Sequence, residues 1–196
     1  MKVTDINTVD DIRSCLDDHH YIANRGLATS IYLSLKMEKP IFLEGEPGVG
    51  KTEVGKVLSQ ILHTDLIRLQ CYEGLDVHNA IYEWNYSRQI LQIRMMEAEG
   101  QKDKEKISNE IFGPEFLIKR PLYQAIDHDG DNPPVLLIDE LDRADEEFEA
   151  FLLEILSDFQ ISIPEIGTIK SEKPPVVVIT SNRTREIHDA LKRRCL

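Results

Sequence analysis

The chain has 196 residues, enough for one complete hydrophobic core and so for one domain in the first instance. Its net charge of −12 argues against a continuous nucleic-acid groove, because a phosphate backbone needs a basic face. The longest apolar runs, such as VLLI and VVVI, are too short to cross a bilayer, and the polar start MKVTDINTVDD has no apolar leader core.

Helical spacing is expected over Val9–Leu16 and Tyr21–Leu35, where Leu27, Ile31 and Leu35 share a face. His19 and His20 are adjacent, point apart in a helix and read as solvated. PIFLEG (40–45) reads as a short buried strand. KTEVGKVLSQIL (51–62) reads as a helix burying Val54, Val57, Leu58, Ile61 and Leu62. DLIRLQ (65–70) is a strand. SRQILQIRMMEAE (87–99) is helical, GQKDKEKISNE a polar connector, and EFLIKRPLYQAI (115–126) helical up to its proline. PPVLLIDE (133–140) is a fully buried strand, and EEFEAFLLEILSDF (146–159) an amphipathic helix. ISIPEIGTIK (161–170) is a small hairpin, and PPVVVITSN (174–182) another buried strand. Apolar strands without alternation, separated by amphipathic helices, predict an α/β fold: three α/β/α layers around a mostly parallel central sheet.

GEPGVGKT (45–52) matches G-x-x-x-x-G-K-[ST] at every fixed position, with a strand before it and a helix after it. The loop comprises Gly45, Glu46, Pro47, Gly48, Val49, Gly50, Lys51 and Thr52, with Glu53 in the first helical turn. Its three glycines let consecutive N–H groups turn towards a phosphate. Lys51 is expected on the β- and γ-phosphates of ATP, and Thr52 on Mg²⁺. VLLIDE (135–140) ends a buried strand in two carboxylates. Asp139 is expected in the Mg²⁺ shell, and Glu140 as the group that polarises the attacking water. Asp142 and Arg143 read either as a surface ion pair or as a contact with a neighbouring subunit. VVVITSN ends in Ser181 and Asn182, and Asn182 is expected to orient the water beside the γ-phosphate.

The order of these motifs, closed by a helix ending in arginine, resembles the AAA+ ATPases. YIANRGLATSIYLSLKMEKPIFLEGEPGVGKTEVGKVLS, LIRLQCYEGLDVHNAIYEWNYSRQIL, FLIKRPLYQAI and TSNRTREIHDALKRRCL are similar to the MoxR family, in particular its CoxD-like branch. The resemblance implies the AAA+ large subdomain over 1–196, with a helical insertion at about 74–112 and a hairpin at about 160–171. It implies that the helical lid is missing and the chain a fragment. Arg194 would be the arginine finger, with Arg193 as second choice, and Tyr21 and Ile22 would pack on adenine or serve as core residues of the first helix. The insertion would face substrate or a pore, or simply pack. A homo-oligomeric, hexameric ring is implied. So is a chaperone-like remodelling role on a protein client, with a von Willebrand factor A-type partner and a link to metalloenzyme maturation. A non-hydrolysing switch or scaffold and an AAA+ nucleic-acid motor or loader are the alternatives; mixed charge over 74–112 argues against the latter. Cys15, Cys71 and Cys195 form no CxxC pair, which suits reduced thiols in the cytoplasm.

Overall fold

The first two helices start where a side chain takes their first free N–H groups. The computed structural model describes residues 5–100 and 110–196. Helix α1 (Val9–Asp18) opens with a reciprocal cap. The Thr8 hydroxyl accepts from the Asp11 N–H, and the Asp11 carboxylate accepts from the Thr8 N–H at 2.8 Å. Helix α2 (Arg25–Met37) is capped by Asn24, whose Oδ1 accepts from the Leu27 N–H at 2.8 Å. That cap moves the start of α2 past the expected Tyr21. Tyr21 and Ile22 are therefore not core residues of a helix; they lie in the link before it, and Ile22 is 93% exposed.

Strand β1 (Ile41–Glu44), helix α3 (Lys51–Leu62) and strand β2 (Leu66–Gln70) follow within a residue or two of expectation. Next come α4 (Val77–Ile81), β3 (Tyr82–Trp84) and α5 (Tyr86–Ala98). The expected polar connector falls almost wholly on 101–109, outside the described residues. The helix expected from Glu115 up to Pro121 is corrected. Leu117–Lys119 forms β4, antiparallel to β3 with Trp84 opposite Leu117. Pro121 then starts α6 (Pro121–Ile126) rather than ending a helix, because the first helical position needs no N–H and suits the fixed φ of proline.

Strand β5 (Val135–Asp139), α7 (Glu146–Asp158), the hairpin β6 (Gln160–Ile163) and β7 (Gly167–Lys170), β8 (Val176–Ser181) and α8 (Asp189–Lys192) complete the order. The main sheet is wholly parallel, β1-β8-β5-β2, with Leu137 beside Val178 on one flank and Arg68 on the other. Period-two alternation splits the core between its faces. Val135, Leu137, Val178 and Ile41 meet α1, α2 and α3; Leu136, Ile138, Val177 and Ile179 meet α6 and α7. This is the expected three-layer α/β/α architecture. No helix among the described residues is long and apolar enough to cross a membrane.

The chain does not end in mid-helix. Helix α8 stops at Lys192, and the backbone returns to the sheet. The Leu196 N–H donates to Pro40 O at 2.9 Å and the Phe42 N–H donates to Leu196 O at 3.0 Å. These two bonds form a parallel bridge on Ile41, along the β1 edge away from β8.

Candidate functional site

The carboxyl ends of β1, β5 and β8 bring the three sequence motifs together, the edge at which open α/β sheets bind ligands. Gly48 (φ 84°) and Gly50 (φ 90°) hold left-handed backbone that only glycine adopts cheaply. Gly45 does not: a Cβ there would make an ordinary contact with Val49, so the expectation that all three glycines curl the loop holds for two. Gly50 stands at the N-cap of α3 and no side chain caps the helix, so its first-turn N–H groups and its positive end face the loop. The Lys51 ammonium donates to Gly45 O and Glu46 O, each at 2.7 Å. The Tyr21 hydroxyl donates to Gly50 O at 3.4 Å. Tyr21 thus lies against the loop, with its pKa raised by burial and by Glu53.

Asp139 is 2% exposed and its two oxygens are used differently. Oδ1 accepts from the Thr52 hydroxyl at 3.0 Å and the Thr180 hydroxyl at 2.6 Å; Oδ2 accepts from Arg68 Nε at 3.1 Å and a terminal guanidinium nitrogen at 2.6 Å. Burial raises its pKa, but the bonds from Thr180, Arg68 and Thr52 outweigh burial and hold the carboxyl below its ordinary value. Thr180 serves twice, because its oxygen also accepts the Glu140 N–H at 2.9 Å. Glu140 has φ 55° and ψ 51°, left-handed backbone that is uncommon outside glycine and costs on the order of 1 kcal/mol. Arg143 Nη1 lies 3.2 Å from its carboxylate.

Asp142 departs from the reading of a surface ion pair with Arg143. It does not pair with Arg143, and it is 4% exposed. Its carboxylate accepts from the Asn182 N–H at 3.0 Å, the Thr184 N–H at 2.9 Å and the Thr184 hydroxyl at 2.6 Å. Burial pushes its pKa up, and these bonds pull it below the ordinary value. Asp142 therefore ties the turn after β5 to the turn after β8 and fixes where Asn182 stands. Glu44 does similar work at β1, with Arg183 Nε at 3.2 Å and Lys192 Nζ at 3.9 Å.

Pro47, Glu140, Asp142, Asn182 and Arg185 line one cleft of about 700 Å³. Arg185 pairs with the buried Glu149 and donates to Ala144 O. Arg193 and Arg194 lie outside this cleft. Arg194 donates to Leu153 O on α7, and Arg193 is exposed with Asp189 at 3.9 Å. Cys71 borders the site, fully buried, where burial, then Asp139, Asp142 and Glu140, push its thiol up to about 12.

The hard oxygens of Thr52 and Asp139, aimed at one another beside the loop, fit Mg²⁺, which takes one or two protein ligands and completes its shell with phosphate and water. Among the described residues no three His, Cys, Asp or Glu cluster to hold a metal by themselves. Sequence reasoning missed Arg68, Thr180 and Glu44. A threonine two residues before Asn182 and an arginine in a short strand were visible, but which oxygen each meets depends on sheet register.

A parallel sheet with this loop defines a phosphate-loop nucleotide-binding α/β domain. The chain belongs to the AAA domain family, dynein-related subfamily, whose model matches residues 40–195. No curated protein matches it. Among solved structures it is similar to a candidate ATPase from Cytophaga hutchinsonii, with a TM-score of 0.59 and 18% identity over 95% of this chain and 49% of that one. It also aligns with a RuvB point mutant from Thermotoga maritima, with a TM-score of 0.45 and 16% identity over 99% of this chain and 46% of that one. The chain spans about half the length of each, and at these identities the first likeness reports the fold.

Proposed function

We propose that this domain binds ATP with Mg²⁺ and hydrolyses it in a site that a neighbouring copy completes. One observation carries the reading: the Thr52 hydroxyl of the phosphate loop meets the Asp139 carboxylate at 3.0 Å, and Glu140 follows directly with its N–H held by Thr180. The loop from Gly45 to Thr52, with Glu53, holds the phosphates, and Lys51 leaves the loop carbonyls to pair with them. Thr52 and Asp139 would hold Mg²⁺, which would screen the phosphate charge when bound. Glu140 accepts a proton from the water that attacks phosphorus, and Asn182 orients that water. Tyr21 and Ile22 would pack on the base; Tyr21 lies against the loop and Ile22 is exposed, which supports this reading.

Arg193 and Arg194 lie outside their own cleft, which supports a role on a neighbour's site in a ring, with Arg194 first and Arg193 second. An arginine remains charged there and offers a planar fork to phosphoryl oxygens. The MoxR-type reading rests on the sequence resemblance. It carries with it the AAA+ core-domain boundaries, a hexameric ring, a cytoplasmic setting, a protein client, a von Willebrand factor A-type partner and remodelling in metalloenzyme maturation.

ATP turnover per chain, measured against protein concentration, tests shared sites. Turnover that rises with concentration, that Arg194→Ala abolishes and that returns when Arg194→Ala is mixed with Glu140→Gln, is the expected result. Turnover independent of concentration overturns completion by a neighbour.

A further inference from the structure

The Asp139 carboxylate already holds a cation from its own chain. Arg68 stands on the edge strand β2, opposite Leu137 in the parallel register, so its side chain leaves on the sheet face that also carries Asp139. Two of its nitrogens reach Oδ2, at 3.1 and 2.6 Å, and one of them also donates to the Gln70 side chain. The two ends of the pair differ in environment. Asp139 is almost fully buried, whereas the Arg68 side chain is 51% exposed and has open solvent to move into.

We propose that Arg68 is an internal counter-cation for Asp139, which holds that carboxylate in the metal-free site and yields it when Mg²⁺ binds with nucleotide. The inference rests on the site reading above and adds a positioning residue to it. An unpaired buried carboxylate is costly, so a metal-free Asp139 needs a partner. A divalent cation near the same carboxylate is repelled by a fixed guanidinium at short range, so the two compete. Oδ1 does not depend on Arg68. The Thr180 hydroxyl orients it at 2.6 Å, and Thr180 is fixed in turn by the Glu140 N–H. Removing Arg68 therefore leaves the metal-facing oxygen in place and removes the competing charge. Arg68 sets how much free Mg²⁺ the site requires, and its pairing with Asp139 is thermodynamically coupled to metal binding, each weakening the other.

The test is a titration of the full chain with a fluorescent ADP analogue over a range of Mg²⁺ concentrations. It is run on wild type, Arg68→Gln and Arg68→Lys, with thermal melts in the presence and absence of Mg²⁺ and nucleotide. Arg68→Gln is expected to lower the half-saturating Mg²⁺ concentration by about 5-fold or more. Its melting temperature should fall more without Mg²⁺–nucleotide than with it. Arg68→Lys keeps a point charge without the fork and should lie between the two. A purely structural arginine would lower both melting temperatures equally and leave the Mg²⁺ requirement unchanged, which overturns the proposal while the site reading survives. Wild-type protein whose ADP affinity ignores Mg²⁺ overturns the site reading and this proposal together.

Discussion

The carboxyl edge of the parallel sheet and the segment from α4 to β4 are built on opposite terms. At the sheet edge polar groups are buried and matched: Asp139 has three donor residues, Asp142 has two, and Thr180 serves two neighbours. In the α4–β4 segment one helix leaves apolar groups in water. Tyr86, Ile90, Leu91 and Met95 of α5 are all exposed, and that helix buries only Gln89 and Met96. A buried polar network tolerates no missing partner, since each orphaned group carries its full desolvation penalty. An exposed apolar face loses little when one member changes. The difference shows where this sequence is constrained by chemistry and where by coverage alone.

Three substitutions sharpen or break that contrast. The largest effect is expected from Glu140→Gln, which keeps the shape of the side chain and removes its basicity. ATP turnover should fall by about 10²-fold to 10⁴-fold, with nucleotide affinity retained in an equilibrium titration. Retained turnover would remove Glu140 from the chemistry.

Asp142→Asn comes next. The amide cannot accept from all the donors that now meet the carboxylate, so stability should fall by about 1–3 kcal/mol at neutral pH in a denaturant titration. The pH dependence has a definite sign. The folded pKa of Asp142 lies below its reference of 3.8, so the stability of the carboxylate is fully present above that value. It is lost as pH falls through the lower, folded value. The gap between wild type and Asp142→Asn should therefore close on acidification below 3.8. A constant gap would mean that the charge of Asp142 is not what holds the two turns.

The smallest effect belongs to Leu91→Gln on α5, which should shift stability by no more than about 0.5 kcal/mol. A loss above about 1 kcal/mol would mean that this face is packed in solution, and the contrast between the regions would fail.

The sequence made the sheet edge more legible than the α4–β4 segment, for a physical reason. The phosphate loop is a local device: its fixed spacing, its flanking strand and helix, and the end of α3 at Leu62 all lie within one short stretch. Asp139, Glu140 and Asn182 could be placed because each ends an apolar run. Strand β4 could not. Glu115–Ile118 fits a helical period as well as a strand, and what decides the matter is Tyr82–Trp84 across the hairpin-like pairing, a distant contact. Asp142 looked like a surface charge because its donors come from residues 182–184. Arg68 was visible as an arginine in a short strand, but its meeting with Asp139 depends on strand register. Gly55 did carry a signal, a glycine on the buried face of a helix. A Cβ there would come within 3.3 Å of Leu137, so the glycine lets α3 lie close on β5.

The bridge between Leu196 and β1 bears on the entropy of association. The segment carrying Arg193 and Arg194 is held at its start by the His188 N–H on the Glu149 carboxylate at 2.8 Å, and at its end by the two bonds of Leu196 with Pro40 O and the Phe42 N–H. Such a segment has little backbone freedom left to lose when it meets another surface. Ordering a loop at an interface normally weakens binding, so a surface that met these arginines would find a backbone whose ordering cost is met during folding rather than at contact.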